Sequence, residues 1–220
     1  MYIVISLTIL LFEAGFSAGA EESAVAQAFV NYKVSPIIVV NPPNELVSVK
    51  YLNTSIYLGT KVEPLTTLNQ PEVSYKANGG DLHTLLFFGP DLPPSLVPPL
   101  TQLIHWGVAN IPGQDISKGV AFSIYFPPVP YPDGFVYTFL VFKQKRPLDT
   151  SQLPNLSPIL SRPNFSYTKF AAQYDLGDPI AGNFMRESYL QIVPEALRSV
   201  YKLLGIPFNK KPGLLGTLLG

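Results

Sequence analysis

Proline and glycine decide what this chain can build. Its 220 residues include 23 prolines and 16 glycines. Past the first helical stretch they cut the apolar sequence into short runs, with asparagine often beside them. Proline lacks the N–H that a helix interior or a central strand needs, and glycine raises the entropic cost of both. Short apolar runs bounded by turn formers read as strands, so the expected fold class is mainly β. The strand candidates are 46–51, 83–88, 103–110, 120–126 and 135–142. In the first, Val47, Val49 and Tyr51 share one face. The last, FVYTFLVF, is apolar on both faces, which predicts a central strand covered on both sides. In 103–110, simple alternation sends Ile104, Trp106 and Val108 one way and Leu103, His105, Gly107 and Ala109 the other. His105 would then stand among small side chains, with space beside it.

Helical spacing is confined to the two ends of the chain. Val25, Ala28, Phe29 and Tyr32 recur at helical intervals behind Ser23 as cap. Tyr167, Phe170, Ala171 and Tyr174 make a second stripe, capped by Ser166 and stopped at Gly177. Leu197, Val200, Tyr201 and Leu204 make a third, with Pro194 near its first turn and Gly205 and Pro207 past its end. The final GLLGTLLG is apolar but too short for a lipid-anchor tail.

The first 20 residues have the features of a targeting segment. Tyr2 to Phe12 is an apolar run, and Ala18-Gly19-Ala20 fits the small-x-small cleavage rule ahead of Glu21-Glu22. The run is shorter than the roughly 20 residues a bilayer demands, so no stable transmembrane segment is expected after cleavage. The chain has no cysteine, hence no disulfide and no thiolate for zinc. Two sequons, at Asn53 and Asn164, agree with export, whereas Asn155 is followed too closely by Pro158. The expected organisation is a signal peptide over 1–20, a folded domain over 21–190, and an amphipathic helix with an apolar tail over 191–220. The expected location is extracellular.

Composition and motifs exclude several functions. Formal net charge is zero, with 15 basic and 15 acidic residues and no basic block, so nucleic acid is not an expected partner. With two histidines in the chain, a serine triad would have to use His83 or His105, and no Gly-x-Ser-x-Gly elbow is present. No histidine pair has metal-ligand spacing, and no Walker or Rossmann glycine pattern appears. No catalytic residue, metal or cofactor is nominated, and the chain is not expected to be an enzyme.

Several segments, taken in order, resemble the phosphatidylethanolamine-binding proteins: AFVNYKVSPIIVVNPPNELVSVKY, HTLLFFGPDLPPS, LIHWGVANIPG, FVYTFLVFKQ and FAAQYDLGDPIAGNF. The resemblance extends roughly from Phe29 to Phe184. It implies a large antiparallel sheet packed with a smaller sheet, plus peripheral and C-terminal helices. It also implies a small anion pocket at one end of the domain, built from Asp-Pro-Asp-x-Pro, a histidine before an aromatic residue, a Gly-x-x-Pro-Pro turn and His-Arg-Tyr.

The carry-over to this chain is partial. Asp91 and Pro93 match the second Asp and the last Pro of the first motif, while Gly89 stands where its first Asp belongs. His105 before Trp106 matches the pocket histidine. Tyr137 survives from His-Arg-Tyr, but Phe135 and Val136 replace the His and Arg. The Gly-x-x-Pro-Pro turn is shortened to Pro127-Pro128, with an insertion from Val129 to Asp133. Asp91 therefore reads either as a pocket carboxylate or as a turn residue. His105 reads either as a ligand group or as a satisfied sheet histidine, and Tyr137 as pocket or core. An anion site needs several donors aimed at one point, each worth about 1.5–3 kcal/mol, so losing them at Gly89 and Phe135 should weaken phosphate binding and leave the cavity filled or apolar. Restoring Gly89→Asp together with Phe135→His should return anion binding if the scaffold is intact. The function this implies is a secreted binding protein whose altered pocket takes a phospholipid head group or another small amphipathic ligand, or a non-catalytic interaction module. The alternative is an extracellular protease inhibitor or signalling modulator acting through a protein partner.

Overall fold

The computed structural model describes residues 23–90, 102–128 and 135–187, together with 199, 202 and 203. Asp91, Pro93, the 1–20 segment, the 129–133 insertion and nearly all of 191–220 lie outside those residues. No helix among the described residues is long and apolar enough to cross a membrane.

The elements among the described residues follow in the order α1 (Ala24–Asn31), β1 (Glu45–Leu46), β2 (Ser48–Tyr51), β3 (Thr54–Ile56), β4 (Thr60–Val62), β5 (Glu72–Ser74), β6 (Leu82–Pro90), β7 (Gln102–Pro112), β8 (Val120–Ser123), β9 (Phe135–Gln144), α2 (Tyr167–Gln173) and β10 (Ala181–Glu187). The large sheet has the order β1-β10-β9-β6-β7-β8, with β4 also on β10, and the small sheet has the order β3-β2-β5. The expected all-antiparallel character holds from β10 to β8, but β1 and β4 join β10 in parallel. The large sheet is therefore mixed. β1 and β4 occupy the side of β10 opposite β9, one after the other along it.

Three layers result. The small sheet covers one face of the large sheet, where Val47, Val49, Tyr51 and Ile56 pack on Leu85, Phe87, Trp106, Tyr137 and Phe139. The helices cover the other, where Phe29, Tyr167 and Phe170 pack with Leu86, Phe88, Leu140 and Phe142. β9 contributes Tyr137, Phe139 and Val141 to the first core and Val136, Leu140 and Phe142 to the second, as a strand apolar on both faces should. Burying one such aromatic side chain contributes about 1.5–3 kcal/mol. Asn183 ties the layers: its Nδ2 donates to the carbonyls of Val47 and Ile56 at 2.7 and 2.9 Å, and its Oδ1 accepts from the N–H of Leu58.

The N-terminal caps follow the sequence. Ser23 Oγ accepts from the N–H of Ala26 at 3.1 Å and Ser166 Oγ from that of Lys169 at 3.3 Å. The C-terminal stop differs from the expected Gly177: α2 is closed by Asp175, which takes the left-handed conformation at φ of +53° right after Tyr174, with Leu176 N–H donating to Ala171 O at 2.9 Å.

One alternation does not survive. Phe87 pairs with Trp106 and the next residue, Phe88, pairs with Ile104, which makes His105 the extra residue of a β-bulge. The bulge breaks the period of two, so Ile104 packs under the helices while Trp106 and Val108 face the small sheet.

Candidate functional site

β6 ends at Pro90, β7 begins at Gln102, β9 begins at Phe135 and β10 ends at Glu187, so four antiparallel neighbours close at the same end of the large sheet. This end brings together Gly89, His105, Phe135 and Tyr137. Asp91 and Pro93 follow Pro90 in sequence and are outside the described residues.

His105 is wholly buried. It does not stand beside open space among small residues, as alternation suggested. Its ring lies 5.3 Å from Phe87, 5.4 Å edge-on from Tyr137 and 6.2 Å stacked from Phe126. The bulge turns it into this aromatic box. Nδ1 lies 3.2 Å from both the Phe126 and the Pro127 carbonyl oxygens. Carbonyls only accept, so Nδ1 carries the proton. Burial is the main cause that pushes the imidazole down to about 3, and the ring is neutral at physiological pH. Nε2 is then a lone-pair acceptor, and it has no partner among the described residues.

Gly89 is explained by Tyr137. A Cβ built on Gly89 would fall 2.3 Å from Tyr137 Cδ1 and 2.5 Å from Cε1. The phenol ring occupies the space a side chain at position 89 would need, and Tyr137 is itself fully buried. Phe135, half-buried, is packed against the same core. Two positions that supply polar groups to the resembled pocket thus hold a glycine under an aromatic ring and a phenylalanine.

The sequence reading missed two groups at this end. Arg162 is 1% exposed and has no carboxylate partner among the described residues. Its guanidinium donates to the carbonyls of Ile104 and His105 at 3.1 Å, of Ile124 and Ser157 at 2.9 Å, and to Ser123 Oγ. Ile104 returns the contact by donating its N–H to Arg162 O at 3.2 Å. The arginine clips the bulge in place, and burial lowers its pKa to about 10. Glu187 is fully buried on the small-sheet side, where Thr67 Oγ1 lies 2.8 Å from its Oε2. Its signal was available: Asn183, Met185 and Glu187 alternate with Phe184 and Arg186, placing Glu187 inward with Met185.

The sequon asparagines Asn53 and Asn164 are both exposed. Asn53 lies at the β2–β3 turn and Asn164 just ahead of α2, whereas Asn155 Oδ1 accepts the N–H of Ser157 at 3.2 Å. A cavity of about 370 Å³ opens between α2 and residues 40–41, lined by Tyr167, Ala171 and Asp178 among others. It contains none of the expected site residues.

No protein-family model matches the chain. Over 173 residues it is 35% identical to the "Putative odorant-binding protein A5" of Drosophila melanogaster, covering 77% of this chain and 82% of that one. It is also 35% identical over 162 residues to the 26 kDa secreted antigen of Toxocara canis, covering 72% of this chain and 62% of the relative. Among solved structures, the phosphatidylethanolamine-binding protein from Plasmodium vivax superposes with a TM-score of 0.61 at 12% identity, covering 76% of this chain and 99% of that one. That likeness concerns the fold, and the sequence relatives carry the kinship. With its two-sheet core, bulged histidine and ordered motifs, the chain belongs to the phosphatidylethanolamine-binding protein family.

Proposed function

We propose that this chain is a secreted, non-catalytic binding protein that holds a small amphipathic molecule at the His105 end of the large sheet. The observation that carries this reading is the state of His105. Its proton is committed to the Phe126 and Pro127 carbonyls, and Nε2 is left as a buried acceptor inside an aromatic box. Such a group receives a hydroxyl or amine proton; it repels a phosphate oxygen, which also accepts. Aromatic walls favour an apolar body on the ligand. The family's anion chemistry is therefore weakened here, while its pocket position is kept. Export is supported by the targeting pattern of 1–20 and by kinship to a protein named as a secreted antigen. Asp91, Pro93, His105 and Tyr137 are the residues assigned to the ligand site.

Calorimetric titration with n-octanol and with phosphoethanolamine tests the assignment. The expected result is 1:1 binding of n-octanol that His105→Phe weakens at least tenfold, with no phosphoethanolamine binding below millimolar concentration. Micromolar, 1:1 phosphoethanolamine binding that depends on His105 would refute it. So would purified, ligand-free protein that ignores n-octanol and instead captures a protease in a 1:1 complex.

A further inference from the structure

The hydrogen bonds around Glu187 favour its protonated form. Thr67 Oγ1 lies 2.8 Å from Glu187 Oε2 and 3.2 Å from the Pro64 carbonyl oxygen. One hydroxyl proton shared between two acceptors makes two weak bonds, whereas a carboxyl that donates its own proton makes two full ones. A protonated Glu187 resolves the conflict: Oε2–H donates to Thr67 Oγ1, and Thr67 donates to Pro64 O. Burial is the main cause that raises this carboxyl to about 8, in agreement with that arrangement. Oε1 is left as a buried acceptor with no partner among the described residues. The titratable groups acting on this cluster are Glu63 from the segment after β4, Tyr51 from β2 and Tyr125 from beyond β8. None of them carries a positive charge. The two tyrosine hydroxyls lie 3.3 Å apart, and Tyr125 donates to Thr67 O at 2.5 Å, so the phenol protons that border the cluster are already committed.

A buried carboxyl with a vacant oxygen, aromatic neighbours and no cation supplied by the described chain has one chemical complement. We infer that Glu187, with Thr67 positioning it, is a subsite for the ammonium group of a small amphipathic amine at the same sheet end as His105. Binding exchanges charge for charge. The ammonium enters with its proton, the Glu187 proton leaves to solvent, Thr67 turns its hydroxyl from Pro64 O to Oε2, and the resulting carboxylate pairs with the cation. No other bond changes. The inference rests on the reading of this sheet end as the ligand site, and it adds the charge of the ligand.

Titration of the full-length secreted chain with n-octylamine, with n-octanol as the uncharged control, separates the two claims. Because one proton is released, n-octylamine affinity should rise about tenfold per pH unit below pH 8 and level off above it. Calorimetry in buffers of different ionisation enthalpy should count close to one proton released at pH 7. Glu187→Gln should abolish both the slope and the release, weaken n-octylamine at least tenfold at pH 8, and leave n-octanol unchanged. Thr67→Val, which keeps the volume and removes the hydroxyl, should reduce the preference for amine over alcohol while retaining the slope. A pH-independent n-octylamine affinity, or equal affinity of the wild type and Glu187→Gln, overturns the Glu187 subsite even if n-octanol binds. Failure of n-octanol alone overturns the His105 reading and leaves the amine result to stand or fall by its slope.

Discussion

A methyl group at position 89 is the sharpest test of how the sheet end is packed. An alanine Cβ there would sit 2.3 and 2.5 Å from two ring carbons of Tyr137, where carbon atoms prefer about 3.5–4.0 Å. The ring must retreat by about 1 Å or more. Tyr137 is fully buried, with Phe87 6.4 Å and His105 5.4 Å away between ring centres, so its retreat displaces other rings. Overpacking of this kind costs about 1–3 kcal/mol. Replacing a strand glycine returns about 0.5–1 kcal/mol through the unfolded chain. Gly89→Ala should therefore destabilise by about 1–2 kcal/mol, a fall in Tm of roughly 2–8 °C for a domain of this size. Urea denaturation of the wild type, Gly89→Ala, Tyr137→Leu and the double variant isolates the contact. With leucine at 137 the methyl should cost less than about 0.5 kcal/mol, leaving a coupling near 1 kcal/mol or more. A neutral Gly89→Ala, or the same cost in both backgrounds, refutes the placement of the ring. The same geometry alters what restoration can achieve. Gly89→Asp with Phe135→His puts a larger side chain into occupied space, so that double variant should lose stability before it regains phosphate.

Two further perturbations address stability directly. Arg162→Met leaves the carbonyls of Ile124 and Ser157 and one face of the bulge without their donor, at a cost on the order of 3–5 kcal/mol; an equilibrium loss below about 1 kcal/mol would show the clip to be dispensable. The pH profile of Tm should be a plateau with two falling sides. His105 is lowered from 6.5 to about 3 on folding, so the unfolded chain holds the extra proton and stability is lost as pH falls from 6.5 towards 3, with His83 and the paired Asp81 acting in the same direction. Glu187 is raised from 4.5 to about 8, so the folded chain holds the extra proton and stability is lost as pH rises from 4.5 to 8. The two slopes oppose each other between 4.5 and 6.5. Glu187→Gln should flatten the alkaline side above 6.5, and an unchanged alkaline slope contradicts the buried acid.

The fold was legible because its signals are local and repeated. β9 needed only its run of apolar residues to be placed at the centre, and β2 only the alternation of Val47, Val49 and Tyr51. Ser23 and Ser166 announce the helices they cap. The site was less legible because its geometry depends on one inserted residue. Nothing in LIHWGVAN tells a bulge from a regular strand, yet the bulge decides that His105 meets Phe87, Phe126 and Tyr137. Arg162 was hidden for a different reason: in SRPN it reads as an ordinary solvated arginine, and only the fold brings five backbone and hydroxyl acceptors to it. Parallel pairing of β1 and β4 is likewise a property of how the chain returns, which strand patterns do not encode. Gly89 was visible as a departure from the family motif, but its cause was two strands of sheet away in sequence, at Tyr137.

Kinship fixes the scaffold of this protein and leaves the ligand to the polarity of a few atoms. An anion pocket works when its protons point inward. At this sheet end two of the buried polar atoms without a partner among the described residues, His105 Nε2 and Glu187 Oε1, are acceptors, and each is made so by a neighbour. The Phe126 and Pro127 carbonyls hold the imidazole proton on Nδ1, and Thr67 takes the carboxyl proton of Glu187 on Oε2. Moving the proton to Nε2 would leave the Nδ1 lone pair facing two carbonyl oxygens, and moving it to Oε1 would cost the hydrogen bond from Oε2 to Thr67. The proposed preference for a ligand that brings its own protons therefore rests on backbone carbonyls and a threonine, groups that a comparison of pocket side chains passes over.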